Sequence, residues 1–117
     1  MEIRDLTAAL AARDALAARA WMLDARRCGF DRSAVELPQG VGEVELAIAA
    51  AVVELVAGRE GAVPPAWTAS VPALSVAVYL VKAAGTMPRL RRLCEEQGPE
   101  PLRRRKLFAP PEFLTAA

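Results

Sequence analysis

The chain has 117 residues, 54% of them apolar, 25% charged and 5% aromatic, with a formal net charge of +1 and no histidine. That length fits one well-filled core and is short for two, and that apolar content excludes a disordered chain. A balance so close to neutrality supplies no global field for DNA or an anionic membrane, and without imidazole the usual general base, metal ligand and nucleophile activator are missing.

Residues 5 to 28 read as the first helix, with Asp5 or Thr7 as N-cap, a dense run of Ala, Leu and Arg, and Gly29 placed to stop it. At helical angles Leu6, Leu10, Leu16, Ala17, Ala20 and Leu23 share one broad face that needs a partner. Arg13 and Asp24 intrude on that arc. They read either as a partner-facing seam or as long and short polar chains that reach solvent past alanine neighbours. The stretch "FDRSAVELPQGVG" breaks the periodicity, so it is a loop in which Phe30, Val35 and Leu37 pin the chain to the core.

The second helix spans about 43 to 58. It is apolar nearly all round, with Glu43 and Glu54 on one narrow edge, as a central covered helix should be, and Gly58 is placed to end it. "GREGAVPPAWTASV" is a proline-stiffened connection whose Trp67 reads as a packing anchor. A third helix is expected from Pro72 to Ala84, with Ser70 as N-cap, Pro72 in the first turn and Gly85 at its end. A fourth, "MPRLRRLCEEQ", ends at Gly98, and Pro99 and Pro101 allow one more short helix over Leu102 to Lys106 before the tail "FAPPEFL". No stretch shows sustained period-two alternation. The expectation is one all-α domain over residues 1–117, a compact bundle of four principal helices with short C-terminal helical turns. Its longest apolar runs fall short of the roughly 20 residues that cross a bilayer, so no membrane role is expected.

Chemical candidates are few. Cys28 and Cys94 are too few for a disulfide framework, and "MEIRDLTAAL" lacks a basic and then apolar leader, so a cytoplasmic chain with reduced thiols is expected. Neither cysteine has companion ligands, no glycine-rich phosphate loop is present, and the pairs Glu43/Glu45 and Glu95/Glu96 do not converge on one point. No cofactor, metal site or enzymatic activity is expected.

Three features carry the functional reading. The segment 72–97 has the form of a helix-turn-helix, with Arg89, Arg91 and Arg92 where a recognition helix would meet DNA. Arg103, Arg104, Arg105 and Lys106 form a basic cluster, but four consecutive residues spread over all faces of a helix and cannot line one groove. In the tail, Leu107, Phe108, Phe113 and Leu114 alternate with rigid prolines that lower the cost of fixing an extended segment, either on its own core or in another protein.

"PPAWT" at 64–68, followed by "MPRLRRLCEEQGPEPLRRRKLFAPPEFL" at 87–114, resembles small bacterial antitoxin-like or uncharacterised proteins that carry a P-x-W motif, a later R-R-x-x-F run and an apolar close. The matching positions are Trp67, Arg104, Arg105, Phe108 and Leu114. The resemblance covers about half the chain and implies a role in binding a partner protein; together with the reading of the tail, which adds Phe113, the expected contact residues are Trp67, Phe108, Phe113 and Leu114. The leading expectation is therefore a non-enzymatic protein-interaction module, an antitoxin-like neutraliser of its partner. The alternative is a small nucleic-acid-binding regulator that uses the 72–97 unit and the 103–106 cluster. Self-association through the first helix fits the same sequence.

Overall fold

A computed structural model describes residues 3–28 and 38–114, with only the backbone described at Arg26 and Cys28. The loop residues Phe30, Val35 and Leu37 and the Cys28 thiol lie outside the described residues. The described chain is mostly helical. It runs α1 (Ile3–Ala11), α2 (Ala15–Cys28), α3 (Glu43–Arg59), a 3-10 turn (Ala66–Ser70), β1 (Val78–Tyr79), a second 3-10 turn (Lys82–Gly85), α4 (Pro88–Gln97), α5 (Glu100–Arg103) and β2 (Leu107–Phe108).

The centre is α3. Ile48, Ala49, Ala50, Ala51, Val52 and Val53 are all buried, so the helix is covered on every side, as its all-round apolar sequence requires. The run of alanines lets α1 pack on it closely from one side, through Ile3, Leu6 and Leu10, and α5 from another, through Leu102. The helix ends later than Gly58. Its closure is at Gly61, where φ is +69°, with Ala62 N–H donating to Ala57 O (2.8 Å) and Gly61 N–H to Gly58 O (3.3 Å).

The first expected helix is two. The N–H of Asp14 donates to Ala9 O (2.8 Å) and that of Arg13 to Leu10 O (3.0 Å), the same closure as at Gly61, but with an arginine in the left-handed position at φ 58°. Asp14 then caps α2, its Oδ1 accepting the Ala17 N–H at 3.0 Å. The break rotates the register. Leu6 and Leu10 keep the core face, but in α2 the buried positions are Ala18 and Ala25, with Trp21 and Met22 half-buried beside them. Leu16, Ala17, Ala20 and Leu23, expected inside, are turned out to solvent.

The third expected helix does not form. Residues 71–81 form no helix; they bend at 75–76 and 80–81 around the short strand β1, which lies parallel to β2 with Val78 opposite Leu107 and Tyr79 opposite Phe108. Val71, Val76, Val78 and Val81 are β-branched, which disfavours a helix and suits a pleated chain. The N–H groups of Leu74, Val78 and Leu80 are taken by the carbonyls of Arg105, Lys106 and Phe108 at 3.1, 2.9 and 2.9 Å, so the backbone is satisfied across the molecule instead of along a helix. The count of four longer helices among the described residues matches the expectation, though by one split and one loss. The expected last helix over Leu102–Lys106 is displaced to Glu100–Arg103, because Pro99 supplies its entry and Lys106 takes a positive φ of 63° that turns the chain into β2.

Gly98 joins α4 to α5 where backbones meet. A Cβ there would lie 2.5 Å from Cys94 O and 2.6 Å from Ala109 O, so only glycine lets the tail pass over the end of α4. Among the described residues no helix is long and apolar enough to cross a membrane.

Candidate functional site: an apolar groove with a basic rim

The tail packs on its own core. Leu107 and Ala109 are fully buried, Phe108 stacks on Tyr79 with ring centroids 5.3 Å apart, and Phe113 and Leu114 rest against the core cluster. Arg59, at the end of α3, holds the final turn by donating to Phe113 O (2.5 Å) and Pro111 O (3.2 Å).

The basic cluster is the brace for this tail. Arg105, only 3% exposed, donates to Thr68 O (2.7 Å), to Pro101 O (3.2 Å) and to the Glu54 carboxylate. Arg104 meets the same Glu54 oxygen from the solvent side, Arg103 donates to Glu96 O (3.2 Å), and Lys106 reaches Ser75 O (3.5 Å). Each of the four cations thus has an acceptor within the chain. Glu54, on the narrow polar edge of α3, is itself largely buried, its side chain 9% exposed. Burial alone would raise its carboxyl, but the hydrogen bonds from Arg105 and Arg104 outweigh that and hold it below its ordinary value.

With no helix over residues 71–81, the helix-turn-helix unit expected at 72–97 is absent. Arg89 and Arg92 stand exposed on α4, while Arg91 lies over the Tyr79 ring, 4.8 Å from its centroid, and pairs with Glu95 at 3.7 Å. Glu95 also accepts a hydrogen bond from Tyr79 Oη, so this group ties α4 to β1. Cys94 is fully buried and burial pushes its thiol up, the opposite of an activated nucleophile. Among the described residues no His/Cys/Asp/Glu group is placed to hold a metal.

A concavity lies between α2, the 80–83 segment and the tail. It is a groove of about 610 Å³ with an apolar floor of Leu10, Ala18, Met22, Leu80, Phe113 and Leu114. Arg13, Arg19 and Lys82 stand around it with one acid, Asp14, whose Oδ1 is occupied in capping α2. Its volume lies within the ordinary range of ligand and peptide sites. On its outer lip Leu23 is 43% exposed, and Leu16, two turns earlier on the same side of α2 but outside the lining, is 81% exposed.

Backbone geometry marks the same place. Three described non-glycine residues have positive φ, namely Arg13, Lys106 and Leu114, and two of these three line the groove. Such conformations cost roughly 1–3 kcal/mol each and collect at functional sites.

Of the four contact residues expected from sequence, Phe113 and Leu114 meet in this groove. Phe108 is stacked on Tyr79, and Trp67 is half-buried against the core. The groove adds Leu10, Arg13, Arg19, Met22, Leu80 and Lys82. Of these, Leu10 carried a sequence signal as part of an apolar helix face and Arg13 as a cation within that arc. The others are ordinary residues of three segments that converge only in the fold. Comparison with known protein families, curated proteins and solved structures finds no match to this chain.

Proposed function

We propose that this protein is a non-enzymatic interaction module that binds a partner protein in the groove between α2, residues 80–83 and the tail. The observation that carries the reading is the groove itself: an apolar concavity of about 610 Å³ with the exposed Leu23 on its lip and the strained Arg13 and Leu114 at its edge. The resemblance of residues 64–68 and 87–114 to antitoxin-like proteins supports neutralisation of that partner as the role. The engagement of all four cations from Arg103 to Lys106 within the chain weighs against the nucleic-acid alternative.

A photo-crosslinking residue at Leu23, with a second at Val76 on a separate exposed surface, tests this in the cells that express the protein. The expected result is a nuclease-resistant protein adduct at position 23 and none at 76, lost when Leu16 is replaced by Asp. A nucleic-acid adduct formed instead from a crosslinker at Arg92 would put the regulator reading in its place.

A further inference from the structure

We infer that the groove takes an amphipathic helix of the partner, one whose apolar face is flanked by carboxylates. The inference rests on the groove being the binding site and adds the chemistry of what fills it.

The first argument is charge. Arg13, Arg19 and Lys82 surround the apolar floor, and Asp14 is the one acid among them, its carboxylate turned to the α2 backbone at Ala17. An occupant that brought cations would set like charges against this rim, whereas one that brought carboxylates would match it. The second is shape. Leu16 and Leu23 lie seven residues apart on α2, two turns and about 10 Å along one side. That is the spacing at which a second helix laid along α2 meets its partner with positions i, i+4 and i+7, and among the described residues Leu16, Ala20 and Leu23 leave that side of α2 exposed. The floor residues Leu80 and Phe113 would receive the same apolar stripe from the other wall.

The same observations argue against a second copy of the chain as occupant. The sequence of α2 carries Arg19, Arg26 and Arg27 against a single acid, Asp24, so two α2 helices side by side would oppose like charges. The acidic helix start of this chain, Glu43 and Glu45, belongs to α3, whose apolar faces are already covered.

The test uses the full chain and labelled synthetic helical peptides of about five turns, with leucines at i, i+4, i+7 and i+11. One carries glutamates beside the leucines, a second carries lysines there, and a third has the glutamate composition in scrambled order. Fluorescence anisotropy is expected to show the glutamate peptide binding at least about tenfold tighter than either other peptide. The variant pair Arg19→Glu with Lys82→Glu, both at exposed positions, is expected to reverse the preference in favour of the lysine peptide. Equal binding of the two charged peptides, no reversal, equal binding of the scrambled peptide, or no binding of any peptide would each overturn the inference. So would a homodimer by sedimentation that Leu23→Asp dissolves. Failure of the charge preference with Leu23→Asp still abolishing the in-cell crosslink from a second groove position, Lys82, leaves the groove as the binding site. An undiminished crosslink there removes the groove reading itself.

Discussion

Two sets of cations in this molecule have opposite fates. Arg103 to Lys106, contiguous in sequence, are spent on Glu54, Thr68, Pro101, Glu96 and Ser75, and their product is a tail fixed to α3. Arg13, Arg19 and Lys82, scattered over 70 positions, converge around an apolar groove with one acid among them. A run of like charge must fan out over all faces of its local structure, so most of it meets the rest of the chain. Single cations on separate segments can be aimed at one place. In this chain the conspicuous cluster is structural, and the inconspicuous residues make the candidate site.

The comparison breaks most sharply at Arg105. Replacing it with Met leaves Thr68 O and Pro101 O short of a donor and strips Glu54 of its buried partner, and loss of one member of a buried pair costs about 3–5 kcal/mol. Urea unfolding of Arg105→Met should show that loss, whereas Arg103→Ala, exposed and bonded to one carbonyl, should stay within about 1 kcal/mol. Because Arg105 Nε is buried without a partner, the pair is not an optimised one. Adding Glu54→Leu to Arg105→Met should therefore recover part of the loss. If Arg103→Ala costs as much as Arg105→Met, the brace is not centred where the geometry puts it.

Gly98→Ala is the next largest. The new Cβ meets two backbone carbonyl oxygens that cannot swing aside, and overpacking of this kind costs about 1–3 kcal/mol. Thermal unfolding measures it, and an unchanged midpoint would mean that the crossing of the tail over α4 is looser than described.

Acid sharpens the contrast between the two sets of cations. The Glu54 carboxyl is depressed in the folded chain, so the unfolded state binds the proton first as pH falls. Its contribution is present in full above the ordinary carboxylate range, roughly pH 4 to 5, and is lost as pH falls through the lower folded value. Stability measured down to pH 3 should fall less steeply in Glu54→Gln than in the parent. Arg19→Glu and Lys82→Glu, by contrast, should change stability at neutral pH by no more than about 0.5 kcal/mol, because they sit on the exposed rim.

The sequence was most informative where one local rule decided the outcome. The all-round apolar pattern of α3 announces a covered helix, and Pro88 and Gly98 bracket α4 within a residue of where it lies. It misled where a tertiary partner overrode local preference. Residues 71–81 contain Val76, Val78 and Leu80 at alternate positions, a faint strand signal. What holds the segment out of a helix is the row of carbonyls from Arg105 to Phe108, about thirty residues away. The groove was out of reach for a simpler reason. Its outer wall depends on the register of α2, and that register is set by a helix break at Arg13, a residue type with no preference for the left-handed conformation it adopts.

That break supplies the smallest and most discriminating prediction. The closures of α1 and α3 have the same hydrogen-bond pattern, but α3 places Gly61 in the left-handed position and α1 places Arg13 there. Glycine enters that conformation without the Cβ penalty of roughly 1 kcal/mol or more that arginine bears, though it gives back part of the gain through its freer unfolded chain. Arg13→Gly should therefore leave the fold as stable as the parent or more stable, by up to about 1 kcal/mol in urea unfolding. It also deletes a cation from the groove rim. If the groove binds an acidic helix, the same variant should bind the glutamate peptide several-fold more weakly while unfolding later, so stability and binding move in opposite directions. A residue kept only for the turn would move stability alone, and a change in both in the same direction would mean that the break, rather than the charge, is what the groove depends on.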